Sequence, residues 1–170
     1  SNRAMFIQRV HIELQKLNGN GIKQNSPELK ERLLAIDYQK NEGITQDRYF
    51  WRLFQIAFLL LSLDGITDDK SPDRNKIDLI WFPTGGGKTE AYLGLTAFTI
   101  FYRRLVHPKE SDGTAIIMRY TLRLLASQQF TRASTLICAC EMIRCDATNR
   151  KPKYGAYQLG KKEITIGLWI

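Results

Sequence analysis

Residues Gly85, Gly86 and Gly87 are consecutive, are followed at once by Lys88 and Thr89, and divide an apolar run from a long helix-prone stretch. Adjacent glycines are poor in helices and strands, so the chain must turn here. With no Cβ at three positions, backbone amides can converge on a single anion. A helix starting directly afterwards adds its positive N-terminal end. Phosphates carry several negative charges and need many donors held close together, and this stretch supplies them. The loop is therefore expected to bind ATP or a related nucleotide with Mg²⁺. Lys88 is expected to reach the β and γ phosphates and the Thr89 hydroxyl to hold the metal. Thr84 and Glu90 flank the loop and are counted with the nucleotide site. Phe82 stands where the general pattern has its first glycine, so the strict form is not met.

The rest of the chain divides around that loop. Residues 5–41 are polar and helix-prone, interrupted at Asn18-Gly19-Asn20-Gly21 and at Ser26-Pro27, where Ser26 serves as N-cap and Pro27 as first helical residue. Two helices with a joint are expected. In 46–63, Phe50, Leu53, Phe54, Ala57, Leu60 and Leu61 recur at helical spacing, and Asp64-Gly65 is expected to stop that helix. Residues 77–82, 114–120 and 164–170 are short, apolar and β-prone. Helices are expected between them over 89–104 and 122–144, the second with Leu125, Ala126, Ala133, Leu136, Ile137, Cys140 and Ile143 along one face. Strand, helix, strand, helix, strand predicts an α/β fold with a short parallel sheet. The division is a helical segment over 1–45 and the first part of an ATPase domain over 46–170. A sheet of three strands would leave a hydrophobic edge, so the chain reads as part of something longer.

Charge and composition narrow the partners. Lys and Arg number 25 against 17 Asp and Glu, a net charge of +8, which favours polyanions such as nucleic acid. The longest uncharged apolar run, 56–63, is far below the roughly 18 residues of a membrane span, and no secretory signal is evident. Three cysteines, Cys138, Cys140 and Cys145, form no disulfide framework and suit a reducing cytoplasm. They lie on one predicted helix, where they cannot all face one way, so they read as incidental thiols rather than a metal cluster. Asp64, Asp68, Asp69 and Asp73 miss the calcium-loop spacing and read as a solvated loop. Arg144, Arg150, Lys151, Lys153, Lys161 and Lys162 also read as a solvated loop, with a nucleic-acid patch as the alternative.

The form Pro83-Thr84-Gly85-Gly86-Gly87-Lys88-Thr89 resembles motif I of superfamily 2 helicases and translocases. Residues 81–95 resemble more specifically the helicase-like subunit of the DISARM phage-defence system. Residues 118–125, then Gln128-Gln129-Phe130, then 166–170, resemble the same subunit. The resemblance covers roughly 49–170. It implies a RecA-like domain, preceded here by the helical segment, belonging to an ATP-driven DNA translocase in anti-phage defence, with other defence subunits as partners. It implies that Arg119, Thr121, Arg123 and Gln128 form motif Ia, which touches the sugar-phosphate backbone; the usual proline before the threonine is replaced by Tyr120. It also implies that Arg52 and Gln55, an Arg-x-x-Gln pair, read adenine, since a primary amide both donates and accepts. The acidic motif II and the second ATPase domain are missing from these residues, so the chain by itself is expected to be inert. Two alternatives stay open: a P-loop NTPase of another class without strand translocation, and a protein-docking module built on the N-terminal helices.

Overall fold

A computed structural model describes residues 2–18, 50–83, 85–109, 111–121, 123–149 and 159–169, and their side chains except those of 13–18, 123–124 and 147–149. Among the described residues there are four α-helices: α1 (Asn2–Asn18), α2 (Leu53–Thr67), α3 (Lys88–Val106) and α4 (Arg123–Asn149), with a short 3-10 turn at Pro72–Asn75. Helix α1 ends where the asparagine and glycine pairs begin. The second N-terminal helix expected after Ser26 lies outside the described residues.

The core forms where α1, α3 and α4 meet. Ala4 and Met5 of α1, Leu93, Ala97 and Ile100 of α3, and Ala133, Leu136, Ile137 and Cys140 of α4 form one buried cluster, closed by Ile164. On α3 and α4 the contributing residues recur three and four apart, which places them on one face of each helix. The helical expectations for 89–104 and 122–144 are met, each helix extending somewhat beyond its predicted end.

Helix α2 runs beside α3 in the same direction. Gln55 in its first turn touches Gly87 just ahead of α3, Phe58 packs edge-on against Tyr92, and the Thr67 carbonyl at its end accepts from the Tyr102 hydroxyl at 2.8 Å. Asp64-Gly65 does not stop α2, which continues to Thr67. The missing Cβ at Gly65 instead admits the 3-10 turn, whose Asp73 backbone lies 3.4 Å from where that Cβ would stand. The loop carboxylates are engaged locally: Asp64 accepts from the Ser71 hydroxyl at 2.5 Å, and Asp69 and Asp73 pair with Arg74 and Lys76.

The α/β expectation is overturned. Among the described residues there is no strand, so neither the short parallel sheet nor a RecA-like domain is present there. A β-prone composition sets a side-chain preference, but a strand exists only when its N–H and C=O groups pair with a neighbour. At each predicted strand a side chain takes a backbone group that a ladder would need. Lys88 holds the carbonyls of Phe82 and Pro83, Arg103 holds that of Thr114 at 3.1 Å, and the Ile164 N–H donates to Glu141 at 3.0 Å. Ile77, Trp81, Ile117 and Trp169 are accordingly exposed.

Candidate phosphate-binding loop

The loop is held open from outside by the first turn of α2. A turn closes between the Gly86 N–H and the Pro83 carbonyl at 3.1 Å. Gly85 and Gly87 have φ of 80° and 92°, a region that L side chains rarely adopt. Gly86 is glycine for a different reason: a Cβ there would stand 2.9 Å from both the Phe82 ring and the Pro83 carbonyl oxygen. Thr84 lies outside the described residues.

Three contacts from α2 fix the loop. Arg52 Nη1 donates to the Gly86 carbonyl at 2.6 Å, and Gln55 Nε2 donates to the Gly87 carbonyl at 2.7 Å. The Phe54 and Phe82 rings stack with centroids 4.0 Å apart. Gln55 is 5% exposed, and its Oε1 accepts the Arg52 N–H at 2.8 Å, which also caps the start of α2. Both ends of the Gln55 amide are thus engaged, one on its own helix and one on the loop.

These bonds orient the loop's donors. Among the described residues no peptide bond is cis, and in a trans peptide the carbonyl of one residue and the N–H of the next point in opposite directions. With the Gly86 and Gly87 carbonyls turned toward α2, the N–H groups of Gly87 and Lys88 turn away from it. Helix α3 then begins at Lys88 with Gly87 as N-cap and no side-chain cap, leaving its first amides for another acceptor. Lys88 Nζ lies across the incoming limb of the loop, donating to the carbonyls of Phe82 and, at 3.2 Å, of Pro83. Thr89 is half-buried in the first turn of α3.

Glu90 closes the far side. Its Oε1 accepts from Arg9 Nη1 of α1 at 3.3 Å and from Arg132 Nη2 of α4. Neither arginine was singled out by sequence, since each stands in an ordinary helical stretch and only the tertiary packing brings it to Glu90.

The expected motif Ia residues gather at the start of α4. Arg119 and Thr121 are exposed on the approach, Arg123 opens the helix, and Gln128 is exposed one turn further on. Tyr120 between them is half-buried, and burial raises its hydroxyl pKa. No described contact brings these four residues onto the loop itself.

Two arginines are buried, and one of them was read differently from sequence. Arg144 does not belong to a solvated loop: it is 7% exposed, paired with Glu141, and donates to the carbonyls of Gly160 and Lys161 at 3.1 and 3.2 Å. Arg104, 6% exposed, donates to those of Leu159 and Lys162, both at 2.7 Å. Together they wrap 159–163 onto the core. Arg150, Lys151 and Lys153 lie outside the described residues. The three cysteines differ in setting: Cys138 is exposed, Cys145 is half-buried, and burial pushes the Cys140 thiol up to about 12. Among the described residues no group of His, Cys, Asp or Glu is placed to hold a metal ion. No helix among them is long and apolar enough to cross a membrane.

No protein-family model matches the chain. The DISARM protein DrmA of Bacillus paralicheniformis is 47% identical to it over 132 residues, which is 75% of this chain. Over that stretch the chain is DrmA-like in sequence, and it spans 11% of that protein's length.

Proposed function

We propose that residues 82–89 are the phosphate-binding loop of an ATP-dependent, helicase-type DNA translocase, and that the protein is a component of a DISARM-type anti-phage defence system. The observation that supports the nucleotide reading is the pair of bonds from Arg52 and Gln55 to the Gly86 and Gly87 carbonyls, which turns the next two N–H groups away from α2. The similarity to DrmA supports the defence assignment, and the loop sequence supports the helicase type.

The residues fit MgATP. The amides of Gly87 and Lys88 and the first amides of α3 would take the β-phosphate oxygens, Lys88 would leave the Phe82 and Pro83 carbonyls for the β and γ phosphates, and the Thr89 hydroxyl would face the magnesium ion. When bound, the ion neutralises phosphate charge. Arg52 and Gln55 act on the nucleotide chiefly through the loop they hold. An adenine edge would have to compete with the Arg52 N–H and the Gly87 carbonyl for the same amide. Arg119, Thr121, Arg123 and Gln128 offer a guanidinium pair, a hydroxyl and an amide to a DNA backbone at the start of α4. Hydrolysis belongs to the whole protein, which must supply the acidic motif absent after Thr89.

The test is ATP turnover by the full-length protein with and without DNA. DNA should stimulate the wild type strongly, and Lys88→Ala should abolish turnover. Undiminished turnover in Lys88→Ala would sink the assignment. Turnover that depends on Lys88 but ignores DNA would favour a P-loop NTPase that does not translocate.

A further inference from the structure

Glu90 stands two residues after Lys88 and its side chain is 17% exposed. One oxygen, Oε2, lies 3.7 Å from where a Cβ would stand on Gly87. The other, Oε1, receives Arg9 from α1 and Arg132 from α4. A single carboxylate thus borders the phosphate loop on one side and two guanidiniums on the other. Within that triad one positive charge is left unmatched.

Filling the loop changes the balance. A triphosphate places several negative charges beside Glu90, which raises the energy of its carboxylate there and draws the guanidiniums toward the phosphates. Both effects loosen the bond between Glu90 and Arg132. Arg132 lies nine residues beyond Arg123 on one continuous helix, about two and a half turns. The same helix begins at Arg123 and carries Gln128 one turn before Arg132.

We propose that the Glu90–Arg132 pair is the joint through which nucleotide in the loop and a polyanion at the start of α4 affect each other's binding, with Arg132 as a positioning residue. The inference rests on the reading of 82–89 as a phosphate loop. Coupling of this kind is reciprocal, so it can be measured from either side.

The experiment uses the full-length protein and a fluorescent MgATP analogue, with dissociation constants measured without and with a saturating DNA oligonucleotide. In the wild type the two constants should differ by about fivefold or more. Arg132→Gln should bring their ratio close to one, while Arg132→Lys, which keeps the charge but not the planar fork, should fall between. A pair that merely holds the helices together would lower the melting temperature of Arg132→Gln and leave the ratio at its wild-type value. That result, or a wild-type ratio of one, overturns the proposal. Should Arg132→Gln fail to fold, Arg132→Lys carries the comparison, and a wild-type ratio there is equally fatal. Failure of the phosphate-loop reading looks different: Lys88→Ala would bind the analogue as tightly as the wild type, and this inference would fall with it.

Discussion

At the scale of single residues, the glycines were legible as a turn: Gly85 and Gly87 take positive φ, and Gly86 leaves room for Phe82 and Pro83. What holds the turn was not legible. The family resemblance implies that Gln55 reads adenine, yet the structure puts its Nε2 on the Gly87 carbonyl and its Oε1 on the Arg52 N–H. The two roles predict different specificities. Gln55→Glu replaces a donor with an oxygen facing the Gly87 carbonyl, losing a buried bond of roughly 1–3 kcal/mol. If Gln55 acts through the loop, ATP and GTP should both bind about tenfold or more weakly, in similar proportion. A loss confined to ATP would show that the amide reads the base instead. Titrating both nucleotides against the variant decides this.

At the scale of elements, α3 and α4 were legible from their apolar spacing, while the helix expected from 46 begins only at Leu53 and exposes Leu53, Leu60 and Leu61; the strands were misread because pairing partners cannot be seen in a local pattern. The segments 77–82, 114–120 and 164–170 have the right composition, but Lys88, Arg103 and Glu141 take backbone groups that a ladder would use. Helix packing yields a sharper prediction. A Cβ on Gly94 would stand 2.6 Å from the Trp51 ring, which also bonds Asn2 at the start of α1. Gly94→Ala should therefore cost about 1–3 kcal/mol by overpacking, read as a lower melting temperature. An unchanged melting temperature would show that Trp51 moves aside freely.

The clamp on 159–164 adds a pH dependence. The Arg144 guanidinium, with the Ile164 N–H, holds the Glu141 carboxyl down to about 2, against an ordinary 4.5. A carboxylate whose pKa is lower in the folded state contributes stability that is complete above its unfolded pKa. That contribution should be lost as pH falls from about 4.5 toward about 2. Melting curves across that window should fall more steeply for the wild type than for Glu141→Gln. Parallel curves would show that the clamp is not charge-dependent.

At the scale of the whole molecule, the net charge of +8 favours a polyanion partner, but charge alone does not say where such a partner would sit. The structure gathers Arg119, Thr121, Arg123 and Gln128 at one end of α4, with Arg119 exposed. Arg119→Glu should weaken DNA binding by the full-length protein and lower the slope of log affinity against log salt by about one unit or more. A slope equal to the wild type would place the phosphate contacts elsewhere. The similarity to DrmA was legible in residues 81–95 and 118–130, where glycines, Lys88, Thr89 and Arg123 stand in a distinctive order; the role of Arg9 and Arg132 was not, because it exists only once three helices meet. All of these readings depend on the loop taking phosphate. Equilibrium binding of MgATP to the full-length protein, wild type against Lys88→Ala, tests that most directly: removing a charge-assisted bond worth about 1.5–3 kcal/mol should weaken binding by roughly tenfold or more, and equal affinities would contradict the account.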